Sequence, residues 1–249
     1  MQRDEGLARL AALGFSAGDA EILWRHFDDA EQRGKPGHGH SRIPWLETLE
    51  GYDAHGEPRL VVDDPGFQRW HANGAIGYLV LGRVIDRQIA QPPEHARLVV
   101  CERTFPTGML GHHVRRLADA GLLAVLTATS PARLWPPGGP KLTGTNPLAI
   151  GIPSSAGDPV VVDVSMGAVT HGDVLAGLAA EEQLVPFGGD QWHKALALAV
   201  GLQLLVDSLV AEPGHGAMLF VARPSADPVP LMRAHGVRLP GSGGNTRGG

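Results

Sequence analysis

The chain has 249 residues, 43% hydrophobic and 19% charged, a composition that fits an ordinary globular protein with one large core or two lobes sharing one. A formal net charge of −5 and the lack of basic runs argue against a nucleic-acid surface. The single Cys101 excludes a disulfide framework, and the acidic N-terminus carries no apolar signal-like run, so a cytoplasmic protein is expected.

In chain order, Asp4 to Leu13 reads as a short helix ended by Gly14. Ser16 with Asp19 resembles a capping box opening a second helix, Ala17 to about Gln32, with Ile22, Leu23 and Phe27 as its buried stripe. Gly34 stops that helix. The loop beyond it is Gly37-His38-Gly39-His40-Ser41-Arg42-Ile43-Pro44, anchored by burial of the apolar residues from Ile43 to Leu46. Leu60 to Val62 reads as a strand before the Asp63-Asp64-Pro65-Gly66 turn. Ala75 to Gln91 reads as a helix stopped by Pro92-Pro93.

Further along, Arg97 to Cys101 is expected as a strand, Gly108 to Asp119 as a helix and Leu122 to Leu126 as a strand, an order that suggests a crossover unit. A proline-glycine loop, Ser130 to Pro140, precedes two more strands at Pro147 to Pro153 and Val160 to Val164. Residues 193 to 210 form a helix apolar nearly all round, hence expected to be central, and Met218 to Ala222 is a last strand. The most apolar segment, Ala195 to Val210, is interrupted by Gln203 and Asp207 and is too short to span a membrane.

The loop after Gly34 carries the chemistry. His38 can give or take a proton near neutral pH, and Arg42 stays charged and grips a carboxylate through two parallel hydrogen bonds. A glycine-rich surface turn with solvated histidines is the plainer reading of the same residues. His38 and His40 lack a third ligand at a convincing spacing, so no metal site is expected. Gly138-Gly139-Pro140 lacks the Lys-Ser/Thr ending of a phosphate loop, and His112, His113 and His171 read as surface or packing residues.

Five pieces occur in a suggestive order: His38-Gly39 with Arg42-Ile43-Pro44, Gly144-Thr145-Asn146-Pro147, Asp163 after a valine run, His193-Lys194 opening an apolar helix, and Val237-Arg238-Leu239-Pro240-Gly241. Together, over roughly residues 17 to 241, they resemble the type-2 malate/lactate dehydrogenase family. That resemblance implies an α/β fold with a mixed sheet and packed helices, distinct from the Rossmann fold. It also implies NADPH- or NADH-dependent reduction of a small 2-oxo acid or cyclic 2-imino carboxylic acid. Carried over residue by residue, it makes His38 the proton donor and Arg42, with Ser41, the carboxylate grip. Asp163 would lie at the active site. Thr145 and Asn146 would line the cleft beside the nicotinamide, and His193 and Lys194 would serve the cofactor side.

The resemblance further implies a homodimer or larger assembly. Residues 1–70 with 190–241 would form a helical, substrate-side lobe and 71–189 an α/β, cofactor-side lobe, followed by a disordered tail at 242–249. The chain departs from the family pattern at three places. Gly37 stands where a Ser usually precedes the histidine, and Thr104-Phe105-Pro106-Thr107-Gly108 stands for Ser-Asn-His-Phe-Gly. Gly167 stands where a Ser commonly follows the aspartate by four residues. A cofactor-independent isomerase or lyase on the same scaffold, and a non-catalytic homologue, remain open as alternatives.

Overall fold

The computed structural model describes residues 1–236 and 238–241; Val237 and the tail expected at 242–249 lie outside them. Helix α1 (Arg3–Ala12) and helix α2 (Ala17–Gln32) form a hairpin, with the Ser16 hydroxyl accepting the Asp19 N–H at 3.2 Å as the cap. Leu10, Leu23, Trp24 and Phe27 from this pair bury against Ile43 and Leu46 of a short helix α3 (Arg42–Leu46), which the sequence reading left as an anchored loop. The anchoring holds, since Ile43 and Leu46 are fully buried, but five residues suffice to close a helical turn around them.

The sheet begins with a hairpin of β1 (Arg59–Asp64) and β2 (Phe67–His71), the second strand unforeseen. After helix α4 (Gly77–Ala90) come β3 (Ala96–Glu102), helix α5 (Leu110–Asp119), β4 (Leu123–Ala128), β5 (Leu148–Ile152) and β6 (Val160–Val164). Helix α6 (His171–Leu175), helix α7 (Trp192–Leu209), β7 (Ala217–Ala222) and helix α8 (Val229–Ala234) complete the order. The seven strands form one mixed sheet, β1-β2-β3-β7-β4-β5-β6, in which only the β2–β3 pair is parallel among the described residues. β3 and β4 both run antiparallel to β7 and therefore parallel to each other, so the expected crossover through α5 skips one strand. The sheet also crosses the expected lobe boundary: β7, counted with residues 190–241, lies at its centre.

Helices α4 and α5 cover one face of the sheet. Val80, Leu81, Val84, Leu110, Val114 and Leu117 bury there against Val99, Ala124, Leu126, Leu219 and Val221. The close approach of α5 depends on Gly151 of β5, where an added Cβ would lie 2.4 Å from the Val114 carbonyl oxygen.

Helix α7 corrects an expectation. It is not central: only Ala195, Ala199 and Val206 are buried, while Leu198 and Leu204 are 51% and 61% exposed. It packs by its small residues and Leu202 beside Leu148, on the face opposite α5, and presents its leucines outward. Apolar character all round predicted burial; the sheet needed only the narrow alanine side. No helix among the described residues is long and apolar enough to cross a membrane.

Candidate active site

The loop after α2 tightens into a 3-10 turn, Pro36–His38, before α3 begins at Arg42. Both residues face a cavity of about 350 Å³ whose lining also includes Lys35, Tyr78, Arg133, Thr145, Asp163 and His171. The turn is wedged against α6. A Cβ on Gly37 would lie 2.3 Å from Asp173 Oδ1, and one on Gly172 would lie 2.5 Å from Arg42 Nη2. Serine therefore has no room at position 37, which accounts for that departure from the family pattern.

Arg42 is the central charge of the cavity. The residue is only 6% exposed, its guanidinium lies 4.7 Å over the Trp45 ring, and it has no carboxylate partner among the described residues. Its Nε is sealed from solvent without a hydrogen-bond partner. The carboxylates of the lining are committed elsewhere: Asp163 accepts Lys35 Nζ at 3.0 Å, and Asp173 Oδ2 accepts the Thr170 N–H and hydroxyl at 2.9 and 2.7 Å. A buried cation left unpaired is costly, and an anion entering the cavity would relieve it.

His38 shares that enclosure, with Nδ1 sealed and unpartnered. Burial, and secondarily the positive charge of Arg42, push it down to about 4, against a weaker opposing pull from Asp163. Its imidazole is thus neutral at pH 7. His40 turns away, stacking on Trp24 at 4.6 Å and meeting Asp28 at 3.1 Å, so the two histidines share no ligand position.

His38, Arg42, Thr145 and Asp163 come together, whereas the other four expected site residues do not. Ser41 donates its hydroxyl to the Pro36 carbonyl at 2.7 Å and so braces the turn. Asn146 is fully buried and donates to the Ala199 carbonyl at 2.9 Å and to Gln203 at 3.0 Å, which ties β5 to α7. His193 and Lys194 are exposed on the first turn of α7, outside the cavity lining.

Among the lining residues, Tyr78 and Arg133 carry no reading from sequence, and His171, read there as surface or packing, faces the cavity as well. Tyr78 is 1% exposed with an unpartnered hydroxyl, held edge-on by His26 at 4.9 Å and Phe27 at 5.2 Å. Arg133 arrives from the proline-glycine loop and His171 from the start of α6. Their only sequence signal was a polar or charged group inside otherwise apolar or glycine-rich segments, and no local spacing links them to His38.

The model of the malate/L-lactate dehydrogenase family matches residues 5–189. A (2R)-3-sulfolactate dehydrogenase (NADP(+)) of Chromohalobacter salexigens is 31% identical over 182 residues, covering 72% of this chain and 55% of the relative. A Delta(1)-pyrroline-2-carboxylate/Delta(1)-piperideine-2-carboxylate reductase of Pseudomonas syringae pv. tomato is 28% identical over 237 residues, covering 79% and 65%. The chain thus spans 55–65% of the length of these curated relatives. The solved delta1-piperideine-2-carboxylate reductase of Pseudomonas syringae superposes with a TM-score of 0.80 at 26% identity, over 96% of this chain and 89% of that one. A malate dehydrogenase from Pyrococcus horikoshii OT3, at 20% identity and a TM-score of 0.74 over 89% and 73%, shares the fold.

Two histidines of the cavity, both shielded from solvent to different degrees, set an acid limit on stability. His38 and His171 lie at about 4 when folded, against 6.5 when free, so the unfolded chain binds more protons between those values. Their contribution is full above pH about 6.5 and is lost as pH falls through about 4. The melting temperature should therefore hold level above pH about 6.5 and drop toward pH 4, and His38→Asn should drop less on acidification. Equal acid slopes for the two proteins, measured by calorimetry, would contradict the burial of His38.

Proposed function

Because the chain belongs to the malate/L-lactate dehydrogenase family, we propose that it reduces a small 2-oxo acid or cyclic 2-imino carboxylic acid with NADPH or NADH. The observation that carries this reading is the unpaired, buried guanidinium of Arg42 in the same cavity as His38. Arg42 binds the substrate carboxylate and fixes the angle at which the adjacent carbon is presented. His38 holds or moves the proton at the carbonyl oxygen or imine nitrogen.

The neutral state of His38 fits into that cycle. A carboxylate on Arg42 cancels the charge that helps to depress the histidine, and adds an attraction of its own. Substrate therefore raises the proton affinity of His38, and the imidazolium formed gives its proton to the oxygen as the carbon is reduced. In the reverse direction neutral His38 is already a base for a 2-hydroxy acid. Tyr78, whose hydroxyl has no partner among the described residues, is placed to donate to the same oxygen or to the carboxylate.

The nicotinamide supplies or accepts the hydride when bound. The remaining lining suits its polar ring: Ser130 and Thr145 offer hydroxyls with no protein partner among the described residues, beside the backbone from Phe105 to Met109. Asn146, His193 and Lys194 are not part of that surface.

A second copy of the chain is the proposed partner, in a homodimer or larger assembly. On the face opposite α4 and α5, Leu98, Phe220, Val125, Ile150 and Val162 lie in register across five strands, each partly or largely exposed. The outward leucines of α7, Leu198, Leu204 and Leu205, extend the apolar surface. Large contiguous apolar surface of this kind marks an interface. Light scattering at micromolar concentration should give at least twice the chain mass, and the double variant Leu204→Asp, Phe220→Asp should shift it to one. A wild-type monomer would end this part of the proposal.

The activity itself is tested by His38→Ala. Turnover should fall by roughly 100- to 10,000-fold, the usual worth of a positioned proton donor, while NAD(P)H affinity stays within about threefold. If the wild-type protein shows no saturable NADH or NADPH binding up to millimolar concentration, the reductase reading fails. The same two residues would then serve a cofactor-independent acid/base reaction, or none.

A further inference from the structure

Arg42 is not the only cation that the cavity leaves unpaired. Arg133 also lines it, from a loop between β4 and β5 that is firmly seated. The Arg133 and Leu134 N–H groups donate to the Thr143 carbonyl at 2.8 and 2.9 Å, and Leu134 is fully buried. The Arg133 side chain has no ion-pair or hydrogen-bond partner among the described residues. Glu181 is the carboxylate whose charge reaches it, but Glu181 is exposed and takes Lys141 Nζ at 2.7 Å.

His171 lines the same region and is similarly free of hydrogen-bond partners. It opens α6, which is fixed by the reciprocal capping of Thr170 and Asp173. Burial first, then the charges of Arg133 and Arg42, keep its imidazole neutral at pH 7. A neutral imidazole beside a guanidinium offers one N–H donor and adds no charge.

The charges in the lining do not balance. Lys35, Arg42 and Arg133 are cations, and Asp163 and Asp173 are the carboxylates. Asp163 is spent on Lys35, and Asp173 on the backbone and hydroxyl of Thr170. Two guanidinium groups remain, near enough that the charge of Arg42, after burial, lowers Arg133. A monocarboxylate neutralises only one of them.

We propose that the site takes a dianionic substrate, whose second acid group is received by Arg133 and His171 while its 2-oxo or 2-imino carboxylate lies on Arg42. This assignment rests on the reductase reading of the cavity and makes Arg133 its specificity-determining residue. Neither the His-Gly and Arg-Ile-Pro pieces nor the Gly-Thr-Asn-Pro strand start contains it.

The comparison that tests it is between malate and 2-hydroxybutyrate, which differ in a carboxylate against a methyl group. Binding is measured by calorimetry on the intact protein, with and without NADPH, so that no turnover is needed. Wild type should bind malate about 10- to 100-fold more tightly than 2-hydroxybutyrate, the scale of a charged hydrogen bond. Arg133→Met should remove most of that preference through malate alone, moving 2-hydroxybutyrate by less than about threefold. Arg133→Lys should restore part of it, because charge survives and the fork does not.

No preference in the wild type overturns the proposal, as does an equal loss of both acids in Arg133→Met. A fall in NADPH affinity with the malate preference unchanged would assign Arg133 to a cofactor phosphate instead, and also overturns it. Failure of the reductase reading is seen separately, as absence of NADPH oxidation with any 2-oxo acid, and leaves the binding comparison to stand or fall alone.

Discussion

An arginine closed into the interior without a counter-ion among the described residues constrains everything around it. Arg42 is buried in the cavity wall, 4.7 Å over the Trp45 ring, and both carboxylates of the lining have other partners. Such a charge is tolerated where solvent or an anionic ligand reaches it, and it depresses every neighbouring group that would gain a proton. His38 and His171 both carry its mark. On the proposed reading the site receives an anion before it does chemistry, and the anion is what brings the proton in.

The fold holds this arrangement by close backbone packing more than by side-chain bonds. Gly37 and Gly172 let the 3-10 turn and α6 touch where any Cβ would collide. Gly111 does the same between α5 and β6, where an added Cβ would lie 2.8 Å from Asp163 Oδ2. Helix end, crossover helix and edge strand thus converge on one cavity. Ser41 and Asn146 are support for that geometry: the first fixes the turn, and the second ties the start of β5 to the α7 backbone.

Much of the architecture was legible because it is written in local physics. The Ser16 cap, the glycine and proline stops and the valine-rich strands place α2, α4, β3, β5 and β6 within a few residues of their observed bounds. What failed to show depends on partners distant in sequence. Strand β2 buries Gln68 and Trp70, and Gln68 is satisfied by donating to Asp63 Oδ1 at 2.7 Å and accepting from Gln88 Nε2 at 2.7 Å, the latter twenty residues away. A polar residue buried on such terms looks like loop. Helix α7 is apolar on all sides, yet the sheet takes only its alanines, and hydrophobicity alone does not say which surface will cover the rest.

The same limit governs the site. His38 and Arg42 are four residues apart and could be seen together, whereas Arg133 and His171 reach them only through the sheet and α6. The most direct test of the account is the titration of His38 itself, followed by NMR of isotope-labelled imidazole with and without oxamate, a carboxylate that cannot be reduced in the same way. The account predicts a value near 4 in the free protein, rising by about 1–3 units when a carboxylate occupies Arg42. A His38 that titrates near 6.5 in the free protein, or that ignores the ligand, would contradict it.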